Sequence, residues 1–197
     1  NYHFSLEKFS FFDDKLKLTS KHSFVKNNLI NWSNKFNLIS KNDKHFIYEL
    51  ENHSYKIIRH IFVQNYKIRI RDSYINKSNK TIGIISHYDF KSIKENTFMV
   101  SGIELNKENK NFSLIGENPT IIFKSKKASF GFYFNDLYSK TNTQVIKKNK
   151  YDLKIKNNNL ILKSKETYEK DFEIYFFNKE LKYFEKINFL RKNLNIY

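Results

Sequence analysis

The stretch from Tyr66 to Phe90 constrains the fold most strongly, because apolar residues recur there at every second position. Its first arm reads YKIRIR over residues 66–71, so that apolar and cationic side chains alternate. A polar run, NKSNK at 76–80, separates this arm from a second one, TIGIISHY at 81–88. A period of two is typical of a strand with one face in a core and one in water. The two arms therefore predict an antiparallel hairpin, which we place in the middle of a β-sandwich.

Similar short segments recur on both sides of this stretch, and regularly spaced strands separated by polar turns are typical of a sandwich or barrel. Near the C-terminus, four apolar residues follow one another at steps of four, three and four: Tyr183, Ile187, Leu190 and Leu194. That spacing predicts a helix over about 179–194, with Asn178 as its N-terminal cap. The sequence thus predicts an all-β fold, an antiparallel β-sandwich with one C-terminal α-helix. We expect a single domain over residues 1–197.

The composition supplies enough apolar material for a large core, with 40% hydrophobic residues, 20 Phe and 13 Tyr. The alternating segments predict which residues fill that core: Ile68, Ile70, Ile82, Ile84, Phe130, Phe132, Phe134, Phe172, Ile174 and Phe176. Gly131 falls on the other face of its strand, where we expect a neighbouring backbone to approach closely.

The net charge of +16 raises the question of nucleic-acid binding, since clustered cations release counterions from phosphate. Only four of the 36 basic residues are arginine, the residue that forms bidentate contacts with phosphate and guanine. Lysine, asparagine, isoleucine and tyrosine are abundant and alanine is nearly absent, which indicates an AT-rich genome. Specific nucleic-acid binding is therefore not expected. Neither is a membrane span, because no run of about eighteen apolar residues occurs.

The sequence shows no catalytic constellation, no set of metal ligands and no motif for a cofactor. Its six histidines lack the paired spacings of metal sites, and it has no cysteine. Four residues are candidates for ligand binding. Trp32 is either a sugar-stacking platform or a core or edge aromatic, and the second interpretation is favoured. Arg69, Arg71 and Asp72 form either a polar site or an exposed charge ladder, and again the second is favoured.

Three groups of segments, taken in chain order, are similar to the galactose-mutarotase-like β-sandwich that precedes a (β/α)8 barrel in some glycosidase-type proteins. They comprise residues 69–72, 75–78, 82–84 and 87; then 117–120, 131–132 and 135–136; then 160–162, 165–168, 172–175 and 183–191. The resemblance covers roughly residues 55–197. In such sandwiches, a strand like that at 172–175 leads to a helix with an aromatic-x-x-x-Ile-Asn-x-Leu-Arg pattern. Lys165 departs from the family, which usually has a proline-glycine turn before the position of Glu166.

The resemblance implies a non-catalytic accessory domain that supports or extends a sugar-binding site in a glycoside hydrolase-like protein. The catalytic carboxylates would belong to a downstream barrel, so that a carbohydrate and that catalytic domain are the implied partners. This chain, which begins at Asn rather than Met, would be a fragment of the longer protein. Asn188 and Arg191 would lie at the domain junction, unless they are ordinary solvated residues. The resemblance also favours an extracellular or cell-surface location.

Two other classes of function stay open from the residues alone. One is a structural, surface or virion β-sandwich that acts as an interaction protein and is encoded by an AT-rich genome. The other is nucleic-acid binding through the lysine-rich surface, which requires the lysines to be concentrated on one face.

Overall fold

The structure, a computed structural model, describes residues 3–5, 8–11, 16–26, 29–33, 36–92, 97–105, 112–116, 120–124, 129–147, 152–178 and 181–193. Within these residues the chain forms the following elements: β1 (His3–Ser5), β2 (Lys8–Phe11), β3 (Leu16–Lys26), β4 (Leu29–Ser33), β5 (Asn37–Lys41), β6 (His45–Glu51), β7 (Tyr55–Val63), β8 (Lys67–Asn76), β9 (Ile82–Ser92), β10 (Thr97–Val100), β11 (Ile103–Leu105), β12 (Phe112–Gly116), β13 (Ile121–Lys124), β14 (Ser129–Phe134), α1 (Leu137–Thr141), β15 (Thr143–Lys147), β16 (Asp152–Leu162), β17 (Thr167–Phe177) and α2 (Tyr183–Asn193).

The strands form two antiparallel sheets that pack face to face. The eight-stranded sheet has the order β1-β2-β3-β9-β16-β15-β12, with β4 also paired to β3. The nine-stranded sheet has the order β11-β10-β13-β14-β17-β8-β7-β6-β5. Between the sheets, the ring of Tyr88 in β9 packs on Phe172 of β17, with ring centroids 4.9 Å apart. The predicted antiparallel β-sandwich with a C-terminal helix is confirmed.

The predicted core residues occupy this space between the sheets. All but one are buried, as the alternation of their strands requires. The exception is Phe176, which is partly buried and packs against the edge of the core. The core also includes tyrosines from both sheets, because an inward tyrosine buries a large ring and keeps a hydroxyl available for a polar contact.

The predicted hairpin at residues 66–90 is wrong, because its two arms belong to different sheets. β8 pairs with β7 and β17 in the nine-stranded sheet, whereas β9 pairs with β3 and β16 in the eight-stranded sheet. The polar run at 76–80 therefore carries the chain across the sandwich. A hairpin and a crossing both leave one face of each arm buried, so the period of two does not distinguish them.

Asn76 stabilises this crossing from a buried position at the end of β8. Its side-chain amide donates hydrogen bonds to the carbonyl oxygens of Lys80, Leu162 and Lys163 at 2.7, 3.1 and 2.8 Å. Its side-chain oxygen accepts a hydrogen bond from the Ser78 N–H at 2.9 Å. Leu162 ends β16, and Lys163 begins the β16–β17 connection, which also passes from one sheet to the other. One side chain thus joins the two crossings.

The C-terminal helix α2 begins at Tyr183, later than predicted, and the cap assigned to Asn178 is wrong. Glu185 instead accepts a hydrogen bond from the Lys182 N–H at 2.5 Å, which satisfies a backbone donor at the start of the helix. The buried side of α2 carries Lys186 and Leu190, whereas Tyr183 and Ile187 are half-buried. Leu194 lies outside the described residues. No helix in the described part of the chain is long and apolar enough to cross a bilayer.

α2 packs on the face of the nine-stranded sheet that points away from the other sheet, which we call its outer face. Leu190 contacts a small buried cluster with Tyr175 and Phe177 of β17. A β-carbon at Gly131 would lie 2.8 Å from a ring carbon of Phe177 and 3.6 Å from Leu190. Gly131 therefore leaves room for an aromatic ring beneath the helix. The prediction that a neighbouring backbone approaches this glycine closely is wrong, because its nearest neighbours are side chains.

Candidate functional site

The sequence-predicted ligand residues of β8 lie on opposite faces of the strand. Arg69 and Arg71 are half-buried on the outer face of the nine-stranded sheet, whereas Asp72 is fully buried between the sheets. This separation follows from the pleat, which turns successive side chains to opposite faces. The structure therefore brings Arg69 and Arg71 together and removes Asp72 from them.

The outer face at β8 and β17 carries a ladder of opposite charges. The Arg69 Nε donates hydrogen bonds to both carboxylate oxygens of Asp171 at 3.0 Å, and Lys67 donates to Glu173 at 2.8 Å. The hydrogen bonds to Asp171 raise the pKa of Arg69. Arg71 is less closely held, with contacts of 3.9 Å to Asp171 and 4.0 Å to Glu169. The carboxylates of Asp171 and Glu173 are thus held by cations of the neighbouring strand, so this surface matches the charge-ladder interpretation better than a shaped ligand site.

Asp72 forms a buried ion pair with Arg59 of the neighbouring strand β7. The Arg59 Nε and Nη2 donate to the two carboxylate oxygens, each at 2.7 Å, in the bidentate geometry of strong charge-assisted hydrogen bonds. The guanidinium carbon also lies 4.5 Å from the ring centroid of Phe36. Burial disfavours the charged guanidinium, but the charge of Asp72 and its hydrogen bonds raise the pKa of Arg59.

Lys170 is a second buried cation, and it links the two sheets. Its amine donates hydrogen bonds to the Ser86 Oγ of β9 and the Asn157 Oδ1 of β16, both at 3.1 Å. The ring of Tyr74 lies 5.6 Å from the amine, and its hydroxyl is 3.1 Å from the same Ser86 Oγ. Asn157 in turn donates to the Thr143 Oγ1 at 2.5 Å. Burial lowers the pKa of Lys170 to about 8, although the charges of Asp136 and Asp72 oppose that shift.

Two of the six histidines meet on the outer face of the nine-stranded sheet. The His45 Nε2 lies 3.0 Å from the His60 Nδ1, so that one imidazole donates a hydrogen bond to the other. The His45 ring also stacks on Phe62, with centroids 4.3 Å apart. Burial and the neighbouring His45 lower the pKa of His60. Within the described residues, no three side chains of the metal-binding types converge.

The remaining predicted site residues lie elsewhere in the sandwich. Asn188 and Arg191 are exposed on α2. Trp32 lies in β4, in register with Ser23 of β3, and its side chain lies outside the described part of the structure. β4, which carries Trp32, belongs to the other sheet, whereas α2, which carries Asn188 and Arg191, packs on β17, the strand that contributes Asp171 and Glu173 to the charge ladder.

No protein-family model matches the sequence, and no curated protein matches it. Solved structures do share its fold. A galactose mutarotase-like protein from Lactobacillus casei superposes with a TM-score of 0.60 at 8% identity, over 82% of this chain and 85% of that one. A protein from Escherichia coli K12, provisionally assigned as an aldose 1-epimerase, gives a TM-score of 0.56 at 9% identity, over 79% of this chain and 78% of that one. The chain has the galactose-mutarotase-like fold.

The mutarotase-like sandwich also occurs within longer chains. A GH31 family sulfoquinovosidase from E. rectale matches 90% of this chain but only 32% of its own length, with a TM-score of 0.51 and 11% identity. The predicted resemblance to the sandwiches of glycosidase-type proteins is therefore confirmed at the level of fold. At these identities the likeness concerns the fold alone.

The buried polar network of this mutarotase-like sandwich is absent from the sequence-based predictions, although the sequence contains a signal for it. Asp72 continues the inward alternation of Ile68 and Ile70 in β8. Lys170 likewise lies two positions before the inward Phe172 of β17. A charged residue at an inward position of an otherwise apolar series indicates a buried partner, because an unpaired buried charge is too costly to retain. Arg59 could have been recognised as that partner, since it too alternates with apolar residues, in β7.

Proposed function

We propose that this chain is a non-catalytic accessory β-sandwich of a carbohydrate-active protein and that α2 packs against a neighbouring domain. The fold supports the carbohydrate theme, since it is shared with a mutarotase-like protein and with part of a sulfoquinovosidase. The charges of the outer face support the accessory role. Asp171 and Glu173, which could act as acids or bases, are held by Arg69 and Lys67 instead.

The observation that carries the proposal is the composition of the outward side of α2. Phe184, Asn188 and Arg191 follow at steps of four and three, so they form one stripe opposite the buried Lys186 and Leu190. The side chain of Phe184 is 75% exposed, which is unusual for a large aromatic residue in a helix that already buries its other side. An aromatic ring beside an amide and an arginine is typical of the centre of a protein interface.

The two hypotheses for Asn188 and Arg191 can be separated by chemical labelling, because the chain contains no cysteine. We expect Asn188→Cys and Arg191→Cys to react rapidly with a maleimide in the isolated chain. In the full-length protein that contains this chain, the same positions should react at least about tenfold more slowly, because a neighbouring domain covers them. Ser40→Cys, on the exposed strand β5, is the matched control and should react equally in both proteins. Equal reactivity at all three positions would contradict docking through α2.

The non-catalytic part of the proposal is tested on the purified chain. We expect galactose to mutarotate at the buffer rate in polarimetry, and nitrophenyl glycosides to be hydrolysed only at the background rate. The physical reason is that Asp171 and Glu173, two carboxylates of the outer face, are held in ion pairs with Arg69 and Lys67 and are therefore poorly placed to transfer a proton to or from a sugar. Turnover that depends on protein concentration and disappears in Asp171→Asn would show that the chain is an enzyme.

A further inference from the structure

Two histidines form a pair on the outer face of the nine-stranded sheet. His45 begins β6, and His60 lies in the neighbouring strand β7, in register with Ile47 of β6. They are 15 positions apart in the chain, so no local motif of paired histidines contains both. The register of the two strands brings their side chains together on one face. We call His45 and His60 the histidine pair.

The facing nitrogens of the histidine pair are almost as far apart as two donors on one metal ion. The His45 Nε2 and the His60 Nδ1 are separated by 3.0 Å, and the two ring planes are inclined by 18°. Two nitrogens bonded to one tetrahedral Zn²⁺ at about 2.0–2.1 Å are about 3.3 Å apart. The nitrogens therefore need to separate by only about 0.3 Å, while the rings turn so that both lone pairs point at the ion.

The surroundings hold the histidine pair in place and leave it accessible to water. The His45 ring stacks on Phe62 of β7, with centroids 4.3 Å apart and planes inclined by 7°. Both histidines are carried by paired strands, which position ligands more precisely than loops do. Each histidine is half-buried, so water can reach the pair and fill the other coordination positions of an ion.

The charges and ligand type around the pair decide which ion fits. Arg71 of β8 is in register with His60, and its positive charge opposes a cation. Two carboxylates partly offset that charge, since Arg71 lies 3.9 Å from Asp171 and 4.0 Å from Glu169. Imidazole nitrogen is a ligand for Zn²⁺, Ni²⁺ and Cu²⁺, whereas Mg²⁺ and Ca²⁺ prefer oxygen. The pair should therefore discriminate strongly against Mg²⁺.

We propose that the histidine pair binds a divalent transition-metal ion of the Zn²⁺ class, with water at the remaining positions. In the free protein, one facing nitrogen carries a proton and the other accepts it. In the bound protein, both facing nitrogens bond to the ion, and the displaced proton moves to the far nitrogen of the same ring. The ion thereby joins β6 to β7. This site does not depend on the accessory role proposed above.

The experiment titrates the purified chain with Zn²⁺ in a calorimeter, with Mg²⁺ as the comparison ion. The chain has no cysteine, so no thiolate competes for Zn²⁺. We expect His45→Gln and His60→Gln each to weaken Zn²⁺ binding by about tenfold or more, because glutamine can keep a hydrogen bond but is a poor zinc ligand. His53→Gln is the matched control, since His53 is exposed in the β6–β7 turn, and it should change affinity by less than about twofold.

A second measurement needs no variant, so it decides even if a substituted protein fails to fold. Diethyl pyrocarbonate modifies accessible imidazoles, and mass spectrometry locates the modified residues. In the wild type, Zn²⁺ should slow modification of His45 and His60 but not of His53.

Weaker Zn²⁺ binding in both variants of the histidine pair, together with protection of both residues, supports the proposal. No Zn²⁺ binding by the wild type, equal binding of Mg²⁺, unchanged affinity in either variant, or equal weakening by His53→Gln overturns it. Protection of His53 to the same extent as the pair overturns it as well.

Discussion

Replacing Asp72 with alanine is expected to lower the free energy of unfolding by about 3–5 kcal/mol, because the buried guanidinium of Arg59 would lose the bidentate hydrogen bonds and the opposite charge that Asp72 supplies. The ion pair has almost no access to water, with side-chain exposures of 2% for Arg59 and 0% for Asp72. Solvent therefore cannot replace the lost hydrogen bonds. Urea unfolding followed by circular dichroism measures the change directly.

Two further variants separate the charge from the packing at this site. Glu169→Ala removes a carboxylate that is 59% exposed and 4.0 Å from Arg71, and it should change stability by less than about 1 kcal/mol. The double variant Arg59→Met with Asp72→Leu removes both charges and should recover most of the stability lost in Asp72→Ala. An Asp72→Ala protein as stable as Glu169→Ala would contradict the buried pair.

The stability of the fold is expected to increase between about pH 8 and pH 10, because of Lys170. Burial lowers the pKa of its amine to about 8 from the 10.5 of a lysine in water. Between those two values the unfolded chain binds the proton and the folded chain does not, so raising the pH favours the folded state. The full shift corresponds to about 3 kcal/mol. Above pH 10 the trend should reverse, since burial raises the pKa of Tyr74 and Tyr88 and their ionisation then favours unfolding.

The measurement compares urea midpoints of the wild type and Lys170→Met from pH 7 to pH 10. The rise should be much smaller in Lys170→Met than in the wild type, because methionine retains the packing but has no proton to lose. Lys41→Met, which changes an exposed lysine, should retain the full rise. Parallel curves for the wild type and Lys170→Met would mean that the amine is charged in the folded protein throughout this range.

The period of two predicted correctly which face of each strand is buried, but it did not predict which strands pair with each other. Ile68 and Ile70, and the three phenylalanines of β14, are buried as the alternation requires. The same alternation is compatible with any neighbouring strand, so β8 and β9 were wrongly paired with each other. Pairing depends on contacts between residues far apart in the chain, which a local pattern does not contain.

The candidate site was less predictable from the sequence than the buried faces of the strands. The role of its residues depends on partners that only the folded structure brings together. Trp32, Arg69 and Arg71 are residue types that bind sugars or anions, but residue type does not distinguish an ion ladder from a ligand site. Lys170 could have been found from its inward position, yet Ser86 and Asn157, its partners, come from strands of the other sheet. The short helix α1 was also missed, although Asp136 at its start is a strong capping residue that accepts from the Ser139 N–H at 2.8 Å.

The two crossings tied by Asn76 have a consequence for how the protein is made on the ribosome. β8 pairs with β17 and β9 pairs with β16, and both of these partners are synthesised much later in the chain. Each sheet therefore lacks a central strand until residues 152–177 have emerged from the ribosome. Pairing over such sequence separations is slow to form. During that interval β8 and β9 each keep an unpaired edge, the kind of surface through which unfinished chains associate. The period of synthesis, rather than the finished fold, is thus when this chain is most exposed to misassembly.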